Sequence, residues 1–150
     1  MLPFQNQKLS TLPPGFILEL NKAPSAQEVN RLLLRCNSQT YSSKKLAFAL
    51  ANSFCNLSIL DKKTTKLCGF VRITTDQGLN ANLWDLVAAP GQYQRNFLAV
   101  LIHHSLVIIR KQLPGCSVSV PAPPTAIKAL ENEGFIIDPN GIRSMAYRLK

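Results

Sequence analysis

The stretch from Asn82 to Gln112 constrains the fold more than any other part of this chain. Asn82-Leu83-Trp84-Asp85-Leu86-Val87-Ala88-Ala89 is a short, mostly apolar run and reads as a buried strand. Pro90-Gly91-Gln92-Tyr93 breaks it as a turn. Gln94 to Gln112 then reads as one long helix. A strand that feeds a long helix is the first half of a crossover, which calls for a sheet with helices packed on its faces. The same junction is a ready anion site, because the first backbone N–H groups of a helix have no partner within it.

The flanking segments supply the rest of the sheet. Residues 1–15 are polar and proline-rich and read as a flexible N-terminal arm. Phe16 to Leu20 is a short strand. Ser25 with Glu28 forms a capping box ahead of a helix through about Cys36, with Val29, Leu32, Leu33 and Cys36 on one face. Ser42 or Ser43 caps a second helix from about Lys44 to Phe54, with Leu46, Ala47, Leu50 and Phe54 inward. Leu57–Leu60 and Leu67–Thr75 are strands joined by the polar turn Asp61–Lys66, and form a hairpin. Asp76–Asn80 is another turn. After the long helix, Pro114-Gly115 precede a strand over Cys116–Val120. Thr125 caps a short helix, Ala126 to Glu133, stopped by Gly134. Phe135–Ile137 and Ser144–Leu149 read as two last strands around the turn Asp138–Gly141. The order is β-α-α-β-β-β-α-β-α-β-β: one α/β domain over 16–150, a mixed sheet with helices on both faces.

Composition bounds the function. The chain has 150 residues and a net charge of +9, so its surface suits acidic partners such as nucleotide phosphates. No predicted helix aligns Lys or Arg on one face, which counts against a nucleic-acid-binding role. Cys36, Cys55, Cys68 and Cys116 show no metal-binding spacing and sit among apolar residues as small hydrophobes, as in a reducing cytoplasm. The start of the chain lacks the pattern of a secretory signal, and the apolar run Phe97–Ile109, broken by His103-His104-Ser105, is too short to span a bilayer. His103 and His104 are adjacent on a helix and point about 100° apart, so they make no metal pair. No metal is expected.

Several motifs, taken in order, resemble the GNAT acyltransferase superfamily over about residues 16–149. Gly69-Phe70-Val71-Arg72 is similar to the family's G-F/Y-x-R strand. Leu83 to Pro90 resembles its fourth strand and the proline that follows. Ala126 to Phe135 resembles the helix that ends in Gly-Phe, and Met145 to Leu149 its closing strand. Gln94-Arg95-Asn96-Phe97-Leu98-Ala99 stands where the family has Q/R-x-x-G-x-G/A. Gln94 and Ala99 match; Phe97 replaces a glycine.

The resemblance implies an N-acyltransferase that moves an acetyl group from acetyl-CoA to a primary amine. It implies that the backbone of Leu86, Val87, Ala88 and Ala89 aligns the pantetheine arm, and that Gln94, Arg95, Asn96, Phe97, Leu98 and Ala99 cradle the phosphates. Asp85, in an apolar strand, is the candidate catalytic base; the alternative is that it accepts hydrogen bonds from a neighbouring turn or pairs with Arg72. The family's frequent acidic tyrosine is replaced by Leu130, leaving Tyr93 and Tyr147 as substitutes. Trp84 is core or a wall of the acceptor site, and Ser117 or Ser119 would line the pocket. The loops Asn37–Ser43 and around Gly141 are expected to choose the acceptor. Phe97 and Leu130 also admit a non-catalytic, CoA-binding scaffold, and a homodimer is compatible with the chain.

Overall fold

The structure, a computed structural model, describes residues 10–148. Five strands form one sheet in sequential order: β1 (Phe16–Leu20), β2 (Cys55–Asp61), β3 (Leu67–Thr75), β4 (Asn80–Ala88) and β5 (Ser117–Ser119). The first four are antiparallel neighbours, and β5 runs parallel to β4. The parallel step is made by α3 (Gln94–Gln112), the crossover that the sequence calls for.

Two apolar layers flank the sheet. Helices α1 (Ala26–Arg35) and α2 (Ser43–Asn52) cover one face, through Val29, Leu32, Leu33, Leu46 and Leu50 packed on Phe70, Val87 and Ala89. Helix α3 covers the other, with Leu98, Leu101 and Ile102 against Leu57, Ile59, Val71, Ile73 and Leu83. Gly69 sits in this second layer, where a Cβ would come within 3.2 Å of both Ile59 and Leu101 side-chain carbons. A side chain there would push α3 off the sheet.

Local signals set the helix ends. Ser25 Oγ accepts from the Glu28 N–H at 3.2 Å, and Glu28 Oε2 accepts from the Ser25 N–H at 3.0 Å. This reciprocal cap satisfies two amides that the helix leaves free. Asn37, in the left-handed region, lets the Ser38 N–H turn back onto the Leu33 carbonyl and closes α1. Ser42, not Ser43, caps α2.

Several expectations need correction. Ala47 faces solvent, and α2 ends at Asn52, so Phe54 lies beyond it and packs on the α3 side. The short helix near the C-terminus, α4 (Ile127–Asn132), is entered by a 3-10 turn at Pro124–Ala126, with no side-chain cap from Thr125. The two last strands are not formed: Phe135–Ile137 is irregular, and no strand occurs over the described part of Ser144–Leu149. The strand β5 pairs over three residues and runs into Pro121, Pro123 and Pro124, so it offers its neighbours almost no ladder. Ile136, Ile142, Met145 and Tyr147 are consequently exposed.

Of the N-terminal arm, residues 1–9 lie outside the described residues. Leu12 packs against the α3-side core, and the Thr11 carbonyl accepts from Asn96 Nδ2 at 2.9 Å.

Candidate active site

The site is built where β4 leaves the sheet. Asp85 has a φ of 55° in the middle of the strand, and the register with β3 slips between Phe70 and Arg72. Aspartate tolerates this conformation better than most residues. The slip is a bulge, and it resets the strand's alternation. Leu83 and Leu86 both join the α3-side core, so Trp84 and Asp85 together take up the turn's worth of chain between them. As a result, Asp85 reaches Arg72 on the α1/α2 side, beside Trp84, instead of being buried under α3.

Asp85 is fully engaged there. Arg72 Nε donates to its Oδ2 at 2.6 Å, and the Tyr41 hydroxyl donates to its Oδ1 at 2.7 Å. The Asp85 side chain is 5% exposed and that of Arg72 17%. The pairing with Arg72 that the sequence offers as the alternative is therefore present, and the carboxylate is not free. The Arg72 guanidinium also lies 5.8 Å above the Trp84 ring, whose Nε1 donates to Thr74 Oγ1. Burial, and then the Asp85 carboxylate, push the Tyr41 phenol up to about 12, against a smaller opposing pull from Arg72.

Beyond Asn82, β4 has no partner on its β5 side among the described residues, because the ladder with β5 covers Asn80–Asn82 alone. The Ala89 N–H donates to Cys68 on β3 at 2.7 Å. By strand alternation, the backbone groups of Leu86 and Ala88 face the gap. The Ala88 carbonyl is taken by Gln94 Nε2 at 3.0 Å and by the Cys36 thiol at 3.2 Å. Both Leu86 groups and the Ala88 N–H have no partner strand on that side among the described residues, which is what a ligand added in strand fashion requires.

The turn into α3 is open as well. Gly91 has a φ of 141° with nothing within 4 Å of a Cβ built on it. The helix start has no side-chain cap and no acidic residue in its first turn. The Gln94 N–H bonds Gly91 and that of Phe97 bonds Tyr93, leaving those of Arg95 and Asn96 without a protein partner among the described residues. Phe97 does not occupy this nook. Its side chain is 3% exposed and lies in the α3-side core, edge-on to Phe16 with centroids 4.8 Å apart. Leu98 is wholly buried, and Arg95 is exposed beside the free amides. Two unpaired amides, a helix dipole and a neighbouring guanidinium fit a diphosphate.

Other candidates fall outside this region. Leu130 is core, Tyr147 is 89% exposed, and the Tyr93 ring joins the Phe16–Phe97 cluster. His103 Nδ1 pairs with Glu133 at 3.1 Å. Ser117 Oγ donates to Asn80 on the sheet edge. No cluster of metal-ligating side chains occurs among the described residues. Tyr41 is the member that sequence reasoning misses; its signal was its place in the loop Asn37–Ser43.

A five-stranded sheet left unpaired beside part of its fourth strand, with a free helix N-terminus next to that edge, is a fold with solved counterparts. A probable acetyltransferase from methicillin-resistant Staphylococcus aureus superposes with a TM-score of 0.77 at 18% identity, over 89% of this chain and all of that one. In sequence, the chain is 36% identical over 104 residues to the uncharacterized N-acetyltransferase ycf52 of Pyropia yezoensis, covering 68% of this chain and 59% of the relative. It is 34% identical over 80 residues to the chloroplastic GCN5-related N-acetyltransferase 2 of Arabidopsis thaliana, covering 53% of this chain and 31% of the relative. The chain thus spans less than two thirds of the length of these curated relatives. No family model matches it. Fold and relatives together place the chain in the GNAT superfamily.

Proposed function

We propose that the chain is an N-acetyltransferase that moves the acetyl group of acetyl-CoA to a primary amine. The observation that carries this reading is the pair of unpartnered amides of Arg95 and Asn96, set beside the unpaired edge of β4 at Leu86–Ala88. The amides and the Arg95 side chain would hold the diphosphate. The Ala88 N–H and the Leu86 groups would bind the pantetheine arm as an added strand. The donor supplies a thioester; the amine nitrogen bonds to its carbonyl carbon, the C–S bond breaks, one proton leaves nitrogen and one reaches the thiolate. Asp85, directly or through a water, would take the first of these protons.

The acceptor would enter through the gap between β4 and β5, past Trp84. Four free thiols suit a reducing compartment, and the cytoplasm is proposed. No helix among the described residues is long and apolar enough to cross a membrane.

Calorimetry with CoA, set beside a thiol-release assay with acetyl-CoA and a panel of amines, tests the proposal. Micromolar CoA binding with amine-dependent thiol release is expected. No binding and no release across the panel would overturn it.

A further inference from the structure

The Asp85 carboxylate is saturated by two partners of different character. Arg72 reaches it from the adjacent strand, largely buried and fixed by the sheet. Tyr41 reaches it from the loop between α1 and α2, forty-four residues away in sequence, on a residue that is 44% exposed. The Asp85 side chain is 5% exposed, and the Tyr41 hydroxyl donates to its Oδ1 at 2.7 Å.

The loop holds Tyr41 by its backbone. Asn30 on α1 accepts the Tyr41 N–H at 3.0 Å and donates to its carbonyl at 2.8 Å. Between this clamp and the end of α1, Gln39 and Thr40 are exposed. A side chain anchored at its backbone and bonded at its tip by one hydrogen bond swings out at low cost. Its alternative is a hydrated phenol in water, so the exchange loses one charge-assisted bond and the partial burial of the ring.

We propose that Tyr41 is a displaceable latch: an incoming primary amine replaces its hydroxyl as the donor to Asp85 Oδ1. This rests on the proposed transferase reading and names how the acceptor is admitted. An amine N–H presents the same donor to the same oxygen. The Arg72 charge beside the carboxylate makes the pair neutral overall, which favours the uncharged, nucleophilic amine over its ammonium form. The raised pKa of the phenol keeps Tyr41 protonated, so it serves as a donor that the amine must match and not as a competing base. Tyr41 is thus a positioning residue: it keeps Asp85 paired until the acceptor arrives.

The test uses the full chain labelled with ring-13Cζ tyrosine, the Tyr41 signal being assigned by its loss in Tyr41→Phe. Methylamine, spermidine and the amide of Nα-acetyl-lysine are the probes, each titrated with and without CoA. The expected result is a saturable shift of the Tyr41 signal toward that of a hydrated phenol with at least one probe, absent in Asp85→Asn. In turnover, Tyr41→Phe should lower KM for the amine about tenfold without reducing kcat, the loss of one competing charged hydrogen bond. Asn30→Ala, which loosens the loop and leaves the phenol in place, should lower KM in the same direction. A Tyr41 signal unmoved by every probe, or a Tyr41→Phe enzyme with lower kcat and unchanged KM, overturns the latch. A shift without turnover overturns the transferase reading and leaves the latch standing; turnover with an unmoved signal does the reverse.

Discussion

Phe97 and Phe16 meet edge-on, with ring centroids 4.8 Å apart and planes inclined at 64°. Phe97 stands where the superfamily has a glycine, and its ring is spent on the core between α3 and β1. The prediction is a separation of stability from cofactor affinity. Phe97→Ala should destabilise the fold by about 3–5 kcal/mol in urea denaturation, the usual cost of emptying a buried aromatic site. CoA affinity of the folded variant should stay within about twofold by calorimetry, since the removed ring does not face the amides. A large gain in affinity would mean that the ring blocks the cradle.

Arg95 is exposed at the start of α3, next to the free amides. Arg95→Ala should weaken CoA binding about fivefold to tenfold at low salt, through loss of a charge-assisted contact to phosphate. The difference should shrink as salt is added, because an exposed guanidinium is screened. Arg110→Ala, at the far end of the same helix, is the control and should leave binding unchanged.

The Arg72–Asp85 pair is buried, and its partners are not equivalent to their absence. Arg72→Met leaves a buried carboxylate without its cation and should cost about 3–5 kcal/mol. The double replacement Arg72→Met with Asp85→Asn should recover a large part of this, since no charge is then stranded. A double-mutant cycle on the unfolding free energies reads the coupling; an additive result would mean that the pair does not interact.

Asp76 holds the turn before β4. Its Oδ1 accepts from the N–H groups of Gly78, Leu79 and Asn80 at 2.8–3.0 Å. These bonds, that of Asn80 foremost, lower its pKa to about 2. A carboxyl whose folded value is depressed adds stability that is fully present above its ordinary value of about 4. That stability is lost as pH falls through about 2. Thermal unfolding of the wild type should therefore drop more steeply between about pH 4 and about pH 2 than that of Asp76→Ala. Parallel profiles would contradict this.

Much of this architecture is legible from residue order. The bounds of β1, β3 and α3 and the start of α1 follow from apolar and β-branched runs, one capping box and a proline-glycine break. What escaped has physical causes. The bulge at Asp85 breaks the two-residue alternation on which any reading of a strand's faces depends, so the side chain's destination was open until the register was known. Tyr41 meets Asp85 across one helix and two strands of intervening sequence, a contact that no local pattern encodes. Ser144–Leu149 has strand composition but, among the described residues, no ladder to join, and composition alone does not form a strand.

At position 85 one residue both kinks the backbone and carries the buried charge. Glycine would keep the kink and erase the charge; glutamate would keep the charge on a side chain that resists the left-handed bend. Asparagine alone among near neighbours preserves the bend and most of the bonding geometry while dropping the charge. Sequence drift here is funnelled toward a single silent exchange, so a homologue bearing asparagine in place of this aspartate would mark a fold retained without the buried charge at its bend.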